Sequence, residues 1–306
     1  MKIVLTGITG SLGSEVFLKL TERKHEVIGI LRSDKKIPYL KEVILCDLEK
    51  ETPNDSNIKA DFVIHCAGSI HLNKSDLNAA MTKNALRLAE QLEVPFCHVS
   101  TAYLSSRNPY EIDKLNAENL VNESNVDSII VRPSILAGRS DNGEINQFSG
   151  YYLVIKAFSE ILSKAQTKIR VPFFHGETNL IPIDLVANSI VKLVEENKYG
   201  TYYATNSKPF DSNLLIRESL EFLGLLDKVD FVDLTFEEYT KLNLSELEIK
   251  LSSYLKHFIG YWSGKHSFTN SIIDNKIDFD YIHKILLYAE KAGWLEKVYA
   301  RTKNIL

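Results

Sequence analysis

The chain has 306 residues, of which 44% are hydrophobic and 25% are charged, and its formal net charge is -4. This composition is typical of a folded protein that is large enough for one main domain and a smaller one. The low net charge and the lack of a lysine- or arginine-rich block argue against nucleic-acid binding. No stretch of 18 apolar residues predicts a membrane span, and the first residues lack the pattern of a secretion signal, so we expect a cytoplasmic protein.

The cysteines and histidines do not form a metal-binding pattern. Cys46, Cys66 and Cys97 each follow an apolar run and have no CxxC spacing, and the eight histidines have no HxxxH spacing. We therefore expect buried thiols and neither a structural nor a catalytic metal.

The first half of the chain alternates short β-branched runs with longer amphipathic stretches, a pattern that indicates βαβ units feeding a parallel sheet. The predicted strands cover residues 2–6, 26–31, 42–46, 61–66, 95–99 and 128–132. The predicted helices cover residues 11–23, 76–92 and 111–123. Right-handed crossovers would wind the sheet in both directions from its first strand, which predicts an α/β doubly wound parallel sheet of the Rossmann type.

After Gly138 the composition becomes rich in glycine, asparagine and serine, and a predicted helix covers 148–165. The chain then returns to the sheet through a helix capped by Asp184 and a strand at 200–204. We expect a dinucleotide-binding domain of residues 1–138 plus about 178–206. The remainder, residues 139–177 plus 207–306, forms a smaller, helix-rich substrate lobe, with a substrate cleft expected between the two.

A glycine-rich turn with the spacing GxxGxxG joins the first strand to the first helix. Glycine permits a tight turn and a close approach to a pyrophosphate, and the helix N-terminus offers free N–H donors. The alternative is a strand-to-helix turn that binds nothing. We predict that this turn binds a dinucleotide through Gly7, Thr9, Gly10, Ser11, Leu12 and Gly13.

The residue at the end of the second strand indicates which cofactor is bound. NAD-specific sites place an acidic residue there, whereas this chain has Arg32, which can bind a 2'-phosphate. We therefore expect NADP(H) rather than NAD(H), the alternative being a solvated basic loop. Further predicted contacts are Asp47 and Leu48 after the third strand and Ala67 and Gly68 after the fourth; Asp47 is alternatively a turn or helix-cap residue.

The predicted catalytic residues are Tyr110 and Lys114, which are four positions apart on a helix and so share one face. The charge of Lys114 is expected to lower the pKa of Tyr110 toward neutrality, which would make the phenol a usable acid or base. Thr101 or Ser100, after the fifth strand, would hydrogen-bond a reacting carbonyl oxygen. The alternative is an unrelated pair on a helix surface.

These motifs together resemble the extended short-chain dehydrogenase/reductase superfamily, with its TGxxGxxG, serine–threonine pair and YxxxK. The segments VSTAY (99–103), RPSI (132–135) and IPID (181–184) are most similar to thioester reductase domains and fatty acyl-CoA reductases, the male-sterility type of NAD-binding domain. The resemblance implies that Thr101, Tyr110 and Lys114 are catalytic, that Lys114 also faces the cofactor, and that Pro133, Ser134 and Ile135 lie beside the nicotinamide. Asn78 matches the asparagine of the family's NVxGT segment, although Met81 replaces its glycine, and Asp113 stands where the family usually has serine.

The resemblance implies an NADP(H)-dependent oxidoreductase that reduces an acyl thioester, carried on CoA or on a separate acyl carrier protein, to an aldehyde. One alternative is a reductase or an epimerase/dehydratase acting on a ketone, an aldehyde or a sugar nucleotide. Another is a non-catalytic NADP(H)-sensing protein, which would not need the Tyr110–Lys114 pair. The expected partner is a small-molecule substrate, and the assembly state, including a homodimer, is left open. Aromatic residues of the last hundred either line an apolar cleft or form the core of the small lobe: Phe258, Tyr261, Trp262 and Phe268.

Overall fold

The computed structural model describes residues 1–54, 58–70, 76–266, 268, 271–273 and 277–295. These residues form two compact units. The first unit comprises residues 1–134 and 181–205 together with 268 and 271–273, and the second comprises 135–180, 206–266 and 277–295.

The bounds of the elements follow the chain in this order. The strands are β1 (Lys2–Thr6), β2 (Glu26–Leu31), β3 (Glu42–Leu45), β4 (Phe62–His65), β5 (Phe96–Val99), β6 (Ser128–Pro133), β7 (Ile135–Ala137), β8 (Ile169–Pro172), β9 (Glu177–Thr178), β10 (Leu180–Pro182), β11 (Gly200–Ala204), β12 (Phe210–Asp211) and β13 (Val229–Val232). The α-helices are α1 (Ser11–Glu22), α2 (Leu77–Leu92), α3 (Pro109–Asn122), α4 (Tyr151–Leu162), α5 (Ile183–Glu195), α6 (Ser212–Phe222), α7 (Phe236–Thr240), α8 (Glu246–Leu255), α9 (Ile259–Trp262) and α10 (Phe279–Lys291).

The first unit is built on a seven-stranded sheet in the order β11-β6-β5-β4-β1-β2-β3. Every pairing in this sheet is parallel. The sheet therefore winds outward in both directions from β1, and the predicted doubly wound Rossmann-type fold is confirmed. Right-handed crossovers toward one side of β1 place their helices on one face of the sheet, and crossovers toward the other side place theirs on the opposite face. Helices α1 and α5 therefore pack together on one face, and α2 and α3 pack together on the other.

The carboxyl ends of the central strands therefore meet at one edge of this sheet, where ligands bind in open α/β folds. Apolar side chains of α1 such as Val16 and Leu20 are fully buried against the sheet.

The predicted helix starting at Asp184 instead begins at Ile183 with Pro182 as its N-cap, so Asp184 lies in the first turn and does not cap the helix. The fixed backbone of Pro182 favours this earlier start, and a carboxylate in the first turn still interacts favourably with the helix dipole.

Residues 271–273 join the first unit, although the sequence assigned everything after 206 to the substrate lobe. The reason is local pairing at the edge of the sheet: Ile272 N–H donates to the Tyr203 carbonyl at 2.9 Å, and Ser271 Oγ donates to the Thr205 carbonyl at 2.7 Å. The units also divide at Ile135 and Ile181, a few residues from the expected boundaries at 138 and about 178.

The second unit consists mainly of helices, with two short ladders formed by β9 with β12 and by β8 with β13. Trp262 is 1% exposed and stacks on Tyr151, with ring centroids 6.2 Å apart, so this residue belongs to the core of the unit. Phe268 belongs to the first unit, where it meets Tyr103 edge-on at 5.5 Å. Within the described ranges, no helix is both long and apolar enough to cross a membrane.

Candidate active site

Gly7 and Gly13, at the two ends of the glycine turn after β1, have no room for a side chain. Gly7 has φ +71°, and a Cβ on it would lie 2.4 Å from the Ala67 nitrogen. A Cβ on Gly13 would lie 2.0 Å from the Gly7 carbonyl oxygen, while Gly10 N–H donates to that oxygen at 2.9 Å. The turn therefore packs closely against the beginning of α1 and against the segment after β4.

The N-terminus of α1, which contains Ser11, Leu12 and Gly13 and follows Thr9, is open to an anion. Its N-cap is Gly10, which supplies no side-chain hydrogen bond, and its first turn contains no acidic residue. The first N–H groups of the helix thus point outward with the positive end of the helix dipole behind them. Together with the glycine turn, this arrangement fits the pyrophosphate of a dinucleotide.

Arg32 and Asp47, at the ends of β2 and β3, differ in how strongly neighbouring residues already bind them. Arg32 is 72% exposed in its side chain, with Nη1 3.4 Å from Glu49 Oε1. Asp47 is bound locally: Lys50 Nζ lies 3.0 Å from its carboxylate, and Glu49 N–H donates to it at 3.3 Å. The hydrogen bond from Lys50 lowers the pKa of Asp47. These contacts favour the turn role that the sequence left open for Asp47, whereas Arg32 remains accessible to a ligand.

Leu48, predicted as a cofactor contact, is 6% exposed and belongs to the apolar core of the first unit. Its carbonyl oxygen accepts a hydrogen bond from Asn84 Nδ2 at 2.9 Å. The side chain of Leu48 therefore packs inward.

The segment after β4 is fixed by buried polar contacts. Thr6 Oγ1 accepts a hydrogen bond from Ala67 N–H at 3.1 Å, and it lies 2.8 Å from His65 Nδ1. Asn78 binds Ser69 twice: Ser69 N–H donates to Oδ1 at 2.9 Å, and Nδ2 donates to the Ser69 carbonyl at 3.1 Å. Ala67 and Gly68 therefore have a defined path beside the glycine turn. Burial lowers the pKa of His65 to about 3, so this strand residue is neutral.

The three predicted catalytic residues converge where β5 ends and α3 begins. Asn108 caps α3 by accepting from Glu111 N–H at 2.9 Å, which places Tyr110 in the first turn. The Tyr110 hydroxyl hydrogen-bonds to the Thr101 side chain. One turn later, Lys114 Nζ donates to the Val99 carbonyl at 2.7 Å.

The choice between Thr101 and Ser100, open in the sequence, is decided by these contacts. Thr101 Oγ1 bonds Tyr110 and also accepts from Tyr103 N–H at 3.3 Å. The buried Ser100 Oγ has no hydrogen-bond partner among the described residues. Thr101 is therefore the hydroxyl that is coupled to the phenol.

The pKa of Tyr110 is raised to about 12, and the expectation that Lys114 would lower it is wrong for this structure. Loss of solvent around the phenol is the main cause of the raised pKa, and the charges of Glu111 and Asp113 raise it further. The hydrogen bond from Thr101 lowers the pKa. Burial also lowers the pKa of Lys114 to about 8. Tyr110 is thus held in its protonated form at neutral pH and is suited to donate a proton.

Pro133 lies beside Ala102, the residue after Thr101, and Ser134 lies beside the end of β11. The Pro133 carbonyl accepts from Ala102 N–H at 2.8 Å, and Ser134 N–H donates to the Ala204 carbonyl at 3.2 Å. Ile135, predicted to contact the cofactor with them, begins β7 of the second unit.

Two buried contacts of this site were not predicted from the sequence. Glu118 of α3 forms an ion pair with Arg132 of β6, which also donates to the Tyr203 hydroxyl at 2.8 Å, so α3 is fixed against the sheet. Asp113 binds the beginning of α2. A charged residue on the inward face of a helix was the available signal in both cases, since such groups are buried only when they are paired.

Solved structures with this fold include two reductase domains. The chain superposes on the terminal R domain of the myxalamid PKS-NRPS biosynthetic pathway with a TM-score of 0.74 at 18% identity, covering 97% of this chain and 92% of that one. It also superposes on a thiolation-reductase di-domain of an archaeal non-ribosomal peptide synthetase, with a TM-score of 0.72 at 15% identity, covering 96% of this chain and 76% of that one. At these identities the likeness shows a shared fold.

Sequence comparison identifies the family. A curated relative, the probable low-salt glycan biosynthesis reductase Agl14 of Haloferax volcanii, is 23% identical over 232 residues, which is 67% of this chain and 75% of that protein. The model of the NAD dependent epimerase/dehydratase family matches residues 3–171, which include the glycine turn, Thr101, Tyr110 and Lys114. The chain therefore belongs to the NAD dependent epimerase/dehydratase family, within the extended short-chain dehydrogenase/reductase superfamily, whose members use a nicotinamide cofactor.

Proposed function

We propose that this protein is an NADP(H)-dependent reductase that converts an acyl thioester into an aldehyde and a thiol. The observation that carries the proposal is the contact between Tyr110, held protonated by its surroundings, and Thr101, with Lys114 one helical turn away. A reductase needs a proton donor beside the carbonyl oxygen at the pH of the reaction, and this arrangement supplies one.

The reduced cofactor, when bound, supplies a hydride to the carbonyl carbon. Tyr110 and Thr101 hydrogen-bond the carbonyl oxygen, and Tyr110 transfers its proton to that oxygen as negative charge develops. Lys114, which is charged below about pH 8, stabilises the tyrosinate that remains. The resulting thiohemiacetal collapses to the aldehyde and the free thiol, so one hydride and one proton are consumed per turnover.

The choice of a thioester rests on the motifs shared with thioester reductases and on the likeness to two reductase domains along nearly the whole chain. The acyl group would arrive on CoA or on a separate acyl carrier protein. A second candidate is a reductase or epimerase/dehydratase acting on a sugar nucleotide, ketone or aldehyde, which the family and the glycan biosynthesis relative favour. A cofactor-sensing protein without turnover is disfavoured, because it would have no use for the Thr101–Tyr110 contact.

A series of thioesters from acetyl to palmitoyl tests the substrate. Phe268 packs against Tyr103, whose N–H donates to Thr101 Oγ1, so aromatic side chains lie near Thr101. If the acyl chain is buried there, kcat/KM should rise with acyl length, and each added methylene should lower the free energy of the transition state by up to about 0.8 kcal/mol. The measurement is NADPH oxidation with trapping of the aldehyde. Turnover of a sugar nucleotide or simple ketone, with no aldehyde from any thioester, would contradict the substrate and leave the reductase chemistry intact.

Replacing Arg32 by alanine tests the cofactor. The exposed guanidinium at the end of β2 is expected to bind the 2'-phosphate, so the parent should prefer NADPH over NADH. Arg32→Ala should reduce the difference between the binding free energies of NADPH and NADH by about 1–3 kcal/mol, as measured by titration calorimetry. Arg23→Ala is the control, because Arg23 follows α1 and pairs with Glu195. Equal affinities of the parent for the two cofactors would refute the assignment.

A further inference from the structure

Asp113 lies on α3 between Tyr110 and Lys114, and it is 1% exposed. Its carboxylate accepts three hydrogen bonds from the beginning of α2. Oδ2 accepts from Asn78 N–H at 2.7 Å and from Asn78 Nδ2 at 2.9 Å, and Oδ1 accepts from Ala79 N–H at 3.0 Å. The carboxylate is thus buried with nearly all of its acceptor capacity in use.

These bonds replace the cap that α2 lacks. The residue at the N-cap, Asp76, has φ +67° and makes no side-chain cap hydrogen bond. The free N–H groups of the first turn, and the positive end of the helix, are therefore satisfied by a carboxylate from another helix. Asn78, held by the same carboxylate, in turn fixes Ser69 next to Gly68.

The position of Asp113 also gives it an electrostatic effect on Lys114. The titratable groups that face the ammonium are Asp113, Glu118 and Tyr110 on its own helix, His65 of β4, Cys66 directly after that strand, and His98 of β5. Both histidines are neutral because burial lowers their pKa values. Burial lowers the pKa of Lys114, and the charge of Asp113 is the largest influence that opposes this effect. A serine at this position would supply no such charge.

We propose that Asp113 is a positioning residue that fixes the catalytic turn of α3 on the N-terminus of α2 and keeps Lys114 charged for turnover. The inference rests on the proposed reductase chemistry, in which a charged Lys114 stabilises the tyrosinate. It assigns a second role to the carboxylate beyond capping α2, namely an electrostatic effect on the neighbouring ammonium.

The test is a direct titration of Lys114 in the full chain. Protein labelled with ¹³C at lysine Cε is titrated by NMR, and the Lys114 signal is assigned with Lys114→Met. In Asp113→Asn the pKa of Lys114 should fall by about one unit, because a neighbouring negative charge is removed. Glu123→Gln is the matched control: it removes an exposed carboxylate just after α3 and should leave the pKa unchanged.

The pH profile of turnover is the second measurement. Activity should fall as pH rises through the pKa of Lys114, and in Asp113→Asn this fall should move to lower pH by the same amount as the NMR pKa. A purely structural role would lower the melting temperature and leave both values unchanged, and that result would overturn the proposal. Asp113→Ser, the residue usual in similar proteins, should repeat the shift, and a Lys114 pKa equal to that of the parent in either folded variant would overturn the electrostatic role.

The NMR titration requires no substrate. If no thioester is reduced but Asp113→Asn shifts the pKa of Lys114, the proposed substrate is wrong and the electrostatic role of Asp113 stands. If thioesters are reduced but the pKa does not move, the proposed function stands and the role of Asp113 is wrong.

Discussion

Tyr110→Phe should lower kcat by roughly 100-fold or more while cofactor affinity stays close to that of the parent, since general acid catalysis is lost and the dinucleotide site is retained. The hydroxyl removed is the one that bonds Thr101 and that burial keeps protonated, with its pKa raised to about 12. Stopped-flow or steady-state oxidation of NADPH gives kcat, and calorimetry gives the affinity.

Tyr199→Phe is the matched control for this variant. Tyr199 immediately precedes β11, so it lies at the amino end of the sheet, opposite the edge that carries the site. Its loss of a hydroxyl should leave kcat within a few-fold of the parent. Turnover by Tyr110→Phe at the parent rate would remove Tyr110 from the mechanism.

Gly13→Ala should lower the affinity for the nicotinamide cofactor by about 100-fold, a loss of about 3 kcal/mol in binding free energy. This value is at the upper end of the costs measured when an extra methyl group is forced into a packed site. The new Cβ would lie 2.0 Å from the Gly7 oxygen and 2.5 Å from its carbonyl carbon, both backbone atoms. Relief of this overlap must displace the turn from α1, and the N–H groups at the helix start move with it. The melting temperature should also fall.

Ser14→Ala is the control for the turn, because it introduces the same methyl side chain one residue later. Ser14 donates from its hydroxyl to the Ser11 carbonyl at 2.9 Å, and its replacement by alanine adds no atom beside the Gly7 backbone. Cofactor affinity should change by no more than a few-fold, as measured by calorimetry. Parent-like binding by Gly13→Ala would mean that the cofactor does not use this turn.

Local patterns in the sequence were sufficient for the parallel sheet and for the placement of its strands. β1 and β2 occupy the predicted residues, and α1 differs from its prediction by one residue at its end. Hydrophobic periodicity and glycine spacing are read over a few neighbouring residues, and the elements they specify are formed by those same residues. The proposal of Tyr110 and Lys114 as a pair was made in the same way, because i and i+4 spacing on a helix already defines a shared face.

The properties of that pair were decided by tertiary contacts. The pKa of Tyr110 is raised and not lowered because burial outweighs the hydrogen bond from Thr101, and burial depends on the packed fold. Asp113 reaches Asn78 across 35 positions of sequence, so the partner of this carboxylate could not be identified from residues near it. The sequence by itself thus determined which residues we propose for the chemistry and on which elements they lie, whereas the charge states and the buried polar partners followed only from the folding of distant segments onto one another.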